Sequence, residues 1–165
     1  MKELDIYIAI EGPIGVGKTS LAKLIADKLN ARKVFEKFEE NPFLKDFYDD
    51  PESNAFQTQI FFLLQRYQQQ QKDIRQLDLY QKGVVTDYMF EKDRLFADFT
   101  LNSEAEYELY SHVADILEKD IVKPDLVVYL QADTPRLMKN IKKRGRDFER
   151  HVTQDLSLIH ISEPT

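Results

Sequence analysis

At 165 residues, with 42% hydrophobic and 32% charged side chains, the chain carries enough apolar material for one cored domain. Its net charge of −6 argues against a nucleic-acid face, and the absence of cysteine excludes a disulfide framework, a thiolate metal site and a thiol nucleophile. No apolar run approaches the roughly 20 residues of a membrane span and no secretory signal is present, so a cytoplasmic protein without membrane or nucleic-acid partners is expected.

Residues 6–10 form an apolar run that reads as a buried parallel strand. The run breaks into Gly12-Pro13-Ile14-Gly15-Val16-Gly17-Lys18-Thr19-Ser20, and an amphipathic helix follows with Leu21, Leu24, Ile25 and Leu29 on its apolar side. Strand, glycine-rich loop and helix in this order are the setting of a phosphate-binding loop. Backbone N–H groups turn inward around phosphate oxygens, and the helix N-terminus adds its positive dipole end. Lys18 would reach the β- and γ-phosphates and the Thr19 hydroxyl would ligate Mg²⁺. A glycine turn matching by chance would not bring strand and helix into register with it. Binding of a nucleoside triphosphate is expected.

Residues 33–38 predict a second short strand, leading into an acidic turn that contains Glu36 and Glu40. Asn41-Pro42 opens a turn or helix with Phe43, Leu44, Phe47 and Tyr48 on its apolar side, and Asp49-Asp50-Pro51 closes it. Ser53 or Asn54 is expected to cap a helix reaching about residue 79, its apolar face made of Phe56, Ile60, Leu63, Leu64 and Tyr67. The glutamines at 68–71 read as a solvated face of that helix. Residues 83–87 predict a third buried strand. A helical region over 88–119 is interrupted near 101–103, where Ser103 and Glu106 have capping-box spacing. Residues 124–130 predict a fourth strand, expected to lack an outer neighbour and so to expose an edge. Thr134-Pro135 then opens a helix with Leu137, Met138 and Ile141 inward and a basic outer face. Strands alternating with helices give a doubly wound parallel α/β sheet. Residues 156–165 continue no periodicity and read as the translation of a sequencing adapter, so His160 is assigned no chemistry and the natural chain is expected to run on differently after about Asp155.

A phosphate loop by itself does not separate kinases from GTPases and ATPases. The sequence has no Asp-x-x-Gly after the third strand and no Asn-Lys-x-Asp, so guanine-nucleotide switch machinery is absent. Arg144, Arg146 and Arg150, with Lys142 and Lys143, have the composition of a lid that lays guanidinium groups over phosphates. The competing reading is a basic helix end that complements its own dipole. Glu36 and Asp87 end strands two and three at the carboxyl edge of the sheet, where a carboxylate can accept a hydroxyl proton or hold Mg²⁺. Together these features favour phosphoryl transfer to a small hydroxyl compound.

Glu11-Gly-Pro-Ile-Gly-Val-Gly-Lys-Thr19, Glu-Asn-Pro-Phe-Leu-x-x-Phe-Tyr48, Ala55-Phe-x-x-Gln59, Asp87 and Arg144-Gly-Arg-x-x-Glu149 together resemble the deoxynucleoside kinase family, in particular its bacterial deoxyadenosine/deoxyguanosine kinase-like members. The resemblance covers about residues 4–155, which it makes a P-loop kinase domain incomplete at its C-terminus, with 156–165 a non-native tail. It implies ATP as phosphoryl donor with Mg²⁺, a deoxynucleoside as acceptor, nucleotide salvage as the setting and a homodimer packed through the long helices after strands two and three. It places Glu36 as the base that takes the 5′-hydroxyl proton, and Gln59, Arg66 and Asp93 as the group that reads the nucleobase. Tyr48 and Glu149 fall at the positions that bind the 3′-hydroxyl, Lys18, Arg144 and Arg146 at the phosphates, and Thr19 and Asp87 at the metal.

The chain departs from the family where the third strand ends. An acidic residue, Arg and Ser are usual there; this chain has Asp87-Tyr88-Met89, so the Arg on the phosphoryl path is replaced by an uncharged side chain, for which the lid arginines or a neighbour such as Lys92 would have to compensate. Phe56, Phe61, Phe62, Phe90, Phe96 and Phe99 supply either a stacking platform or core, and helical spacing favours core. Two rival readings are a nucleoside monophosphate kinase, which needs a further cationic clamp, and a nucleotide-binding subunit without catalysis.

Overall fold

The computed structural model describes residues 6–76 and 79–146. Strand β1 (Tyr7–Glu11) is buried along its whole length, as the uninterrupted apolar run requires of a strand covered on both faces. Its alternate residues serve two layers. Ile8 and Ile10 pack with Ala22, Ala26, Ala31 and Val85, whereas Tyr7 and Ala9 pack with Val34, Ile74, Val84 and Tyr88. Helix α1 (Lys18–Leu29) lies against the first layer through two alanines, which allow close approach of helix to sheet. The expected leucine stripe is only partly used: Leu24 and Leu29 are exposed, because Ala22 and Ala26 occupy the buried line of the helix.

The sheet continues with β2 (Arg32–Val34), β3 (Val84–Thr86) and β4 (Leu126–Tyr129), all parallel, in the order β2-β3-β1-β4. Ile8 lies beside Val85 on one side and Leu126 on the other. The second strand ends two residues before Glu36, which therefore lies in the following loop rather than within the strand over 33–38. At the opposite side of the sheet β4 forms an edge among the described residues, with Leu126 and Val127 exposed.

Between β2 and β3 come a 3-10 turn (Phe38–Glu40), α2 (Leu44–Asp49) and α3 (Pro51–Gln69). The cap of α3 is Asp50, not Ser53 or Asn54; its carboxylate accepts the Ser53 N–H at 3.3 Å, and Pro51 occupies the first helical position. Helix α3 ends ten residues earlier than residue 79, passing into a π-helical turn (Gln70–Ile74). The glutamines at this transition are not solvated as a group: Gln69 and Gln70 are buried. The Gln69 amide donates to Phe35 O at 2.9 Å and Gln70 Oε1 accepts the Val122 N–H at 3.1 Å. Of the expected apolar face, Leu63 is fully buried but Leu64 is exposed, and much of the inward surface is polar: Thr58, Gln59, Arg66 and Gln69.

After β3, helix α4 (Lys92–Thr100) begins four residues later than residue 88, and α5 (Glu104–Glu118) starts at the Ser103 cap, whose hydroxyl accepts the Glu106 N–H at 3.4 Å. Leu63 of α3, Phe90, Ala97 of α4 and Tyr110 and Ala114 of α5 form a separate all-helical core. Helix α6 (Thr134–Arg144) is capped by Asp133 and buries Leu137 and Ile141, as its spacing predicts. Residues 147–165, including Glu149, Arg150 and the 156–165 stretch, lie outside the described residues. No helix among the described residues is long and apolar enough to cross a membrane.

Gly83 opens β3 with φ +98°, and a Cβ there would sit 2.5 Å from Ile6 O. Gly83→Ala therefore combines a left-handed backbone with a backbone clash at the foot of the central strand pair. It is expected to cost about 2 kcal/mol and to lower the melting midpoint by roughly 4–8 °C. An unchanged thermal melt contradicts this account.

Candidate active site

The carboxyl ends of β1, β2 and β3 open into one cavity, closed from the sides by α2, α3, α4 and the end of α6. This is where a parallel sheet exposes unpaired backbone and helix N-termini at once. Gly12, Gly15 and Gly17 all have positive φ, and α1 starts directly after Gly17. A Cβ on Gly15 would stand 3.0 Å from Leu137 O and from Ile141, so glycine here lets α6 lie on the loop. Asn140 donates to Gly15 O at 2.8 Å and ties the two together. Through this contact Arg144 and Arg146, at the end of α6, reach the cavity wall, with the Arg146 guanidinium 4.0 Å from the centre of the Phe38 ring.

Lys18 donates to the loop carbonyls of Gly12 at 2.7 Å and Pro13 at 3.1 Å. Burial, followed by the charge of Lys92, pulls its pKa down to about 8. Thr19 donates to Asp87 Oδ2 at 2.5 Å, and Asp87 Oδ1 accepts the Glu36 N–H at 2.7 Å. Asp87 is thus fastened between the phosphate loop and the turn that carries Glu36. Burial raises its pKa against the opposing effects of Thr19 and Lys18. Ser20 is exposed on the first turn of α1.

Deeper in the cavity the Arg66 guanidinium forms ion pairs with Glu36 and Asp93. It lies 5.1 Å from the centre of the Phe62 ring and 5.5 Å from that of Tyr88. Burial lowers the Arg66 pKa without bringing a guanidinium near neutrality. Arg66 Nη1 meets Asp93 Oδ1, while Asp93 Oδ2 and Arg66 Nε are buried with no hydrogen-bond partner among the described residues. Gln59, also buried, and Tyr48 line the same cavity. Glu36, Tyr48, Gln59, Arg66, Asp87, Asp93, Arg144, Arg146, Lys18 and Thr19 therefore surround a single space, though they come from seven different segments. Among the aromatics, Phe62 and Phe96 line it, Phe90 is core and Phe99 is exposed.

Of two further charged residues of the site, the sequence named Lys92 only as a neighbour that could compensate for the replaced Arg and gave Glu11 no role of its own. Glu11 and Lys92 are both buried and form an ion pair, and Lys92 also donates to Gly12 O at 3.1 Å. The available signal was weak: an acid ending an apolar strand next to the phosphate loop. Tyr88, in place of the family Arg, is buried; desolvation raises its pKa, so it stays neutral.

The low Lys18 pKa has a consequence for anion binding. A bound polyphosphate favours the ammonium form, so between pH 8 and the ordinary lysine value of 10.5 binding takes up a proton. Affinity for ATP is expected to fall as pH rises above about 8. Calorimetry at pH 8.5 in buffers of different ionisation enthalpy measures the uptake directly, and none is expected if Lys18 titrates at its ordinary value.

Comparison with known proteins bears on the family and the fold. The deoxynucleoside kinase family model matches residues 8–160. The chain is 38% identical over 146 residues to the deoxyguanosine kinase of Bacillus subtilis (strain 168), a match covering 88% of this chain and 70% of that protein. It is 36% identical over 151 residues to the deoxyadenosine kinase of Dictyostelium discoideum, covering 89% of this chain and 60% of that longer protein. Its fold superposes on the deoxyadenosine kinase from M. mycoides with bound dATP at a TM-score of 0.78 and 26% identity, over 93% of this chain and 79% of that one. A parallel sheet ending in a phosphate loop, a charged cavity at its carboxyl edge and these matches place the chain in the deoxynucleoside kinase family.

Proposed function

We propose that this chain transfers the γ-phosphoryl group of ATP to the 5′-hydroxyl of a deoxynucleoside, preferably a purine one, in cytoplasmic nucleotide salvage. The observation that carries the reading is the buried trio Gln59, Arg66 and Asp93 in the same cavity as the phosphate loop, with Asp93 Oδ2 and Arg66 Nε lacking hydrogen-bond partners among the described residues. Buried polar atoms left unpaired are costly. A nucleobase edge carrying both donors and acceptors would satisfy them, and a Gln amide can donate and accept together. The purine preference rests on the deoxyguanosine and deoxyadenosine kinases the chain is similar to.

In the reaction the bond from the γ-phosphorus to the bridging oxygen of ADP breaks as the bond to the 5′ oxygen forms. Glu36 takes the hydroxyl proton. Arg66 holds the Glu36 carboxylate, which aligns the base with the nucleoside that Arg66 helps to read. Lys18 and the loop amides bind the triphosphate, and Arg144 and Arg146 neutralise charge from the α6 side. Tyr48, with Glu149, would bind the 3′-hydroxyl. Thr19 and Asp87 offer adjacent hard oxygen donors at the foot of the loop, which suits Mg²⁺. Bound there, the ion would add positive charge at the phosphate oxygens. Little covalent chemistry is left to the protein, so positioning and electrostatics supply most of the acceleration. A homodimer would use α3 and α5, which expose Leu64, Leu109 and Ile116.

ATP-dependent phosphorylation of the four deoxynucleosides tests the reading, with turnover expected to be greatest on a purine. Glu36→Gln is expected to lower kcat by about 100-fold or more while the protein still melts cooperatively. Nucleotide binding without turnover of any deoxynucleoside would instead support a subunit that binds and does not catalyse.

A further inference from the structure

Lys92 stands where helix stability does not want it. It is the first residue of α4, where a cation opposes the helix dipole, and it is 8% exposed. Its partner Glu11 does not require it. Glu11 Oε1 already accepts the Gly12 N–H at 2.8 Å and Oε2 the Met89 N–H at 3.2 Å, so the carboxylate is held by backbone amides. The Lys92 ammonium, while paired with Glu11, also lies beside that of Lys18, both donating to the one Gly12 carbonyl, at 3.1 and 2.7 Å. Glu11 balances one of these two positive charges, so an anion entering the cavity beside them meets a net cationic pair. The neighbouring Tyr88 supplies no charge.

We propose that Lys92 is a second phosphate-contacting cation, leaving Glu11 to bind the γ-phosphoryl oxygens alongside Lys18 during transfer. The proposal rests on the kinase reading above. As the γ-phosphoryl group passes from the ADP oxygen to the 5′ oxygen, Lys92 would stabilise charge on the oxygens in flight while Glu11 and its two amide donors keep the vacated place ordered. The competing account is a purely structural ion pair that pins α4 to β1.

Removing Lys92 alone would strand a buried carboxylate, so the first variant is Glu11→Gln/Lys92→Met, which removes both charges. Its kcat is expected to drop about 100-fold with the KM for deoxynucleoside unchanged. It should also lose the parent's preference for the β,γ-imido analogue of ATP over ADP. Lys92→Arg, which keeps the charge, should restore that preference. A double variant that keeps the preference overturns the proposal, even if it melts lower. Should the double variant not fold, ¹⁵N-lysine NMR on the unaltered protein decides, with the Lys92 resonance assigned from Lys92→Arg. The ammonium resonance must move with the analogue and not with ADP, and a resonance indifferent to the analogue overturns the proposal. A parent that turns over no deoxynucleoside would fail the kinase reading, whereas the analogue and NMR measurements would still judge Lys92.

Discussion

A buried guanidinium holds this site together. Taking Arg66 out of water costs several kcal/mol, and the cost is met only by carboxylates and ring faces brought to it. Glu36 comes from the loop after β2, Asp93 from the first turn of α4, and the rings of Phe62 and Tyr88 from α3 and the end of β3. The position of each is therefore a condition on the others. This explains why α3 turns polar residues inward along part of its length while Leu63, on the same helix, enters an apolar core.

A second charge cluster sits at the end of β1. Glu11 accepts two backbone N–H groups, Lys92 reaches both Glu11 and Gly12, and Lys18 shares the Gly12 carbonyl. Asp87 lies between the clusters, since it accepts from Thr19 on one side and from the backbone of Glu36 on the other. The phosphate-loop end of the cavity and the end lined by Glu36, Arg66 and Asp93 thus share a hydrogen-bonded carboxylate. The Asn140 contact to Gly15 extends the same coupling to α6 and its terminal arginines.

The departures from sequence expectation share one origin. Gln69 and Gln70 look solvated by composition, yet each amide meets a backbone group from a distant segment, Phe35 or Val122. Leu24, Leu29 and Leu64 look buried by composition, yet the alanines of α1 and the polar line of α3 take the inward positions. Local pattern reports which residues are apolar, not which side of a helix a neighbouring element will cover. The early ends of β2 and α3 follow from the same cause, because pairing partners and not local propensity decide where an element stops.

By itself the sequence determined the phosphate loop, the alternation of strands and helices, and the residue types of the site. Those depend on spacing along the chain: Gly12 to Thr19 must be contiguous for their amides to turn toward one point, and the apolar run of β1 must be continuous to be covered on both faces. Only the tertiary structure decided that Arg66 pairs with Glu36 and Asp93 at once, and that Lys92 lies beside Lys18. Those pairings join residues from 27 to 74 positions apart in the chain, across crossovers whose packing sets the distances. An ionic contact is a property of where two charges end up, and no local pattern encodes it.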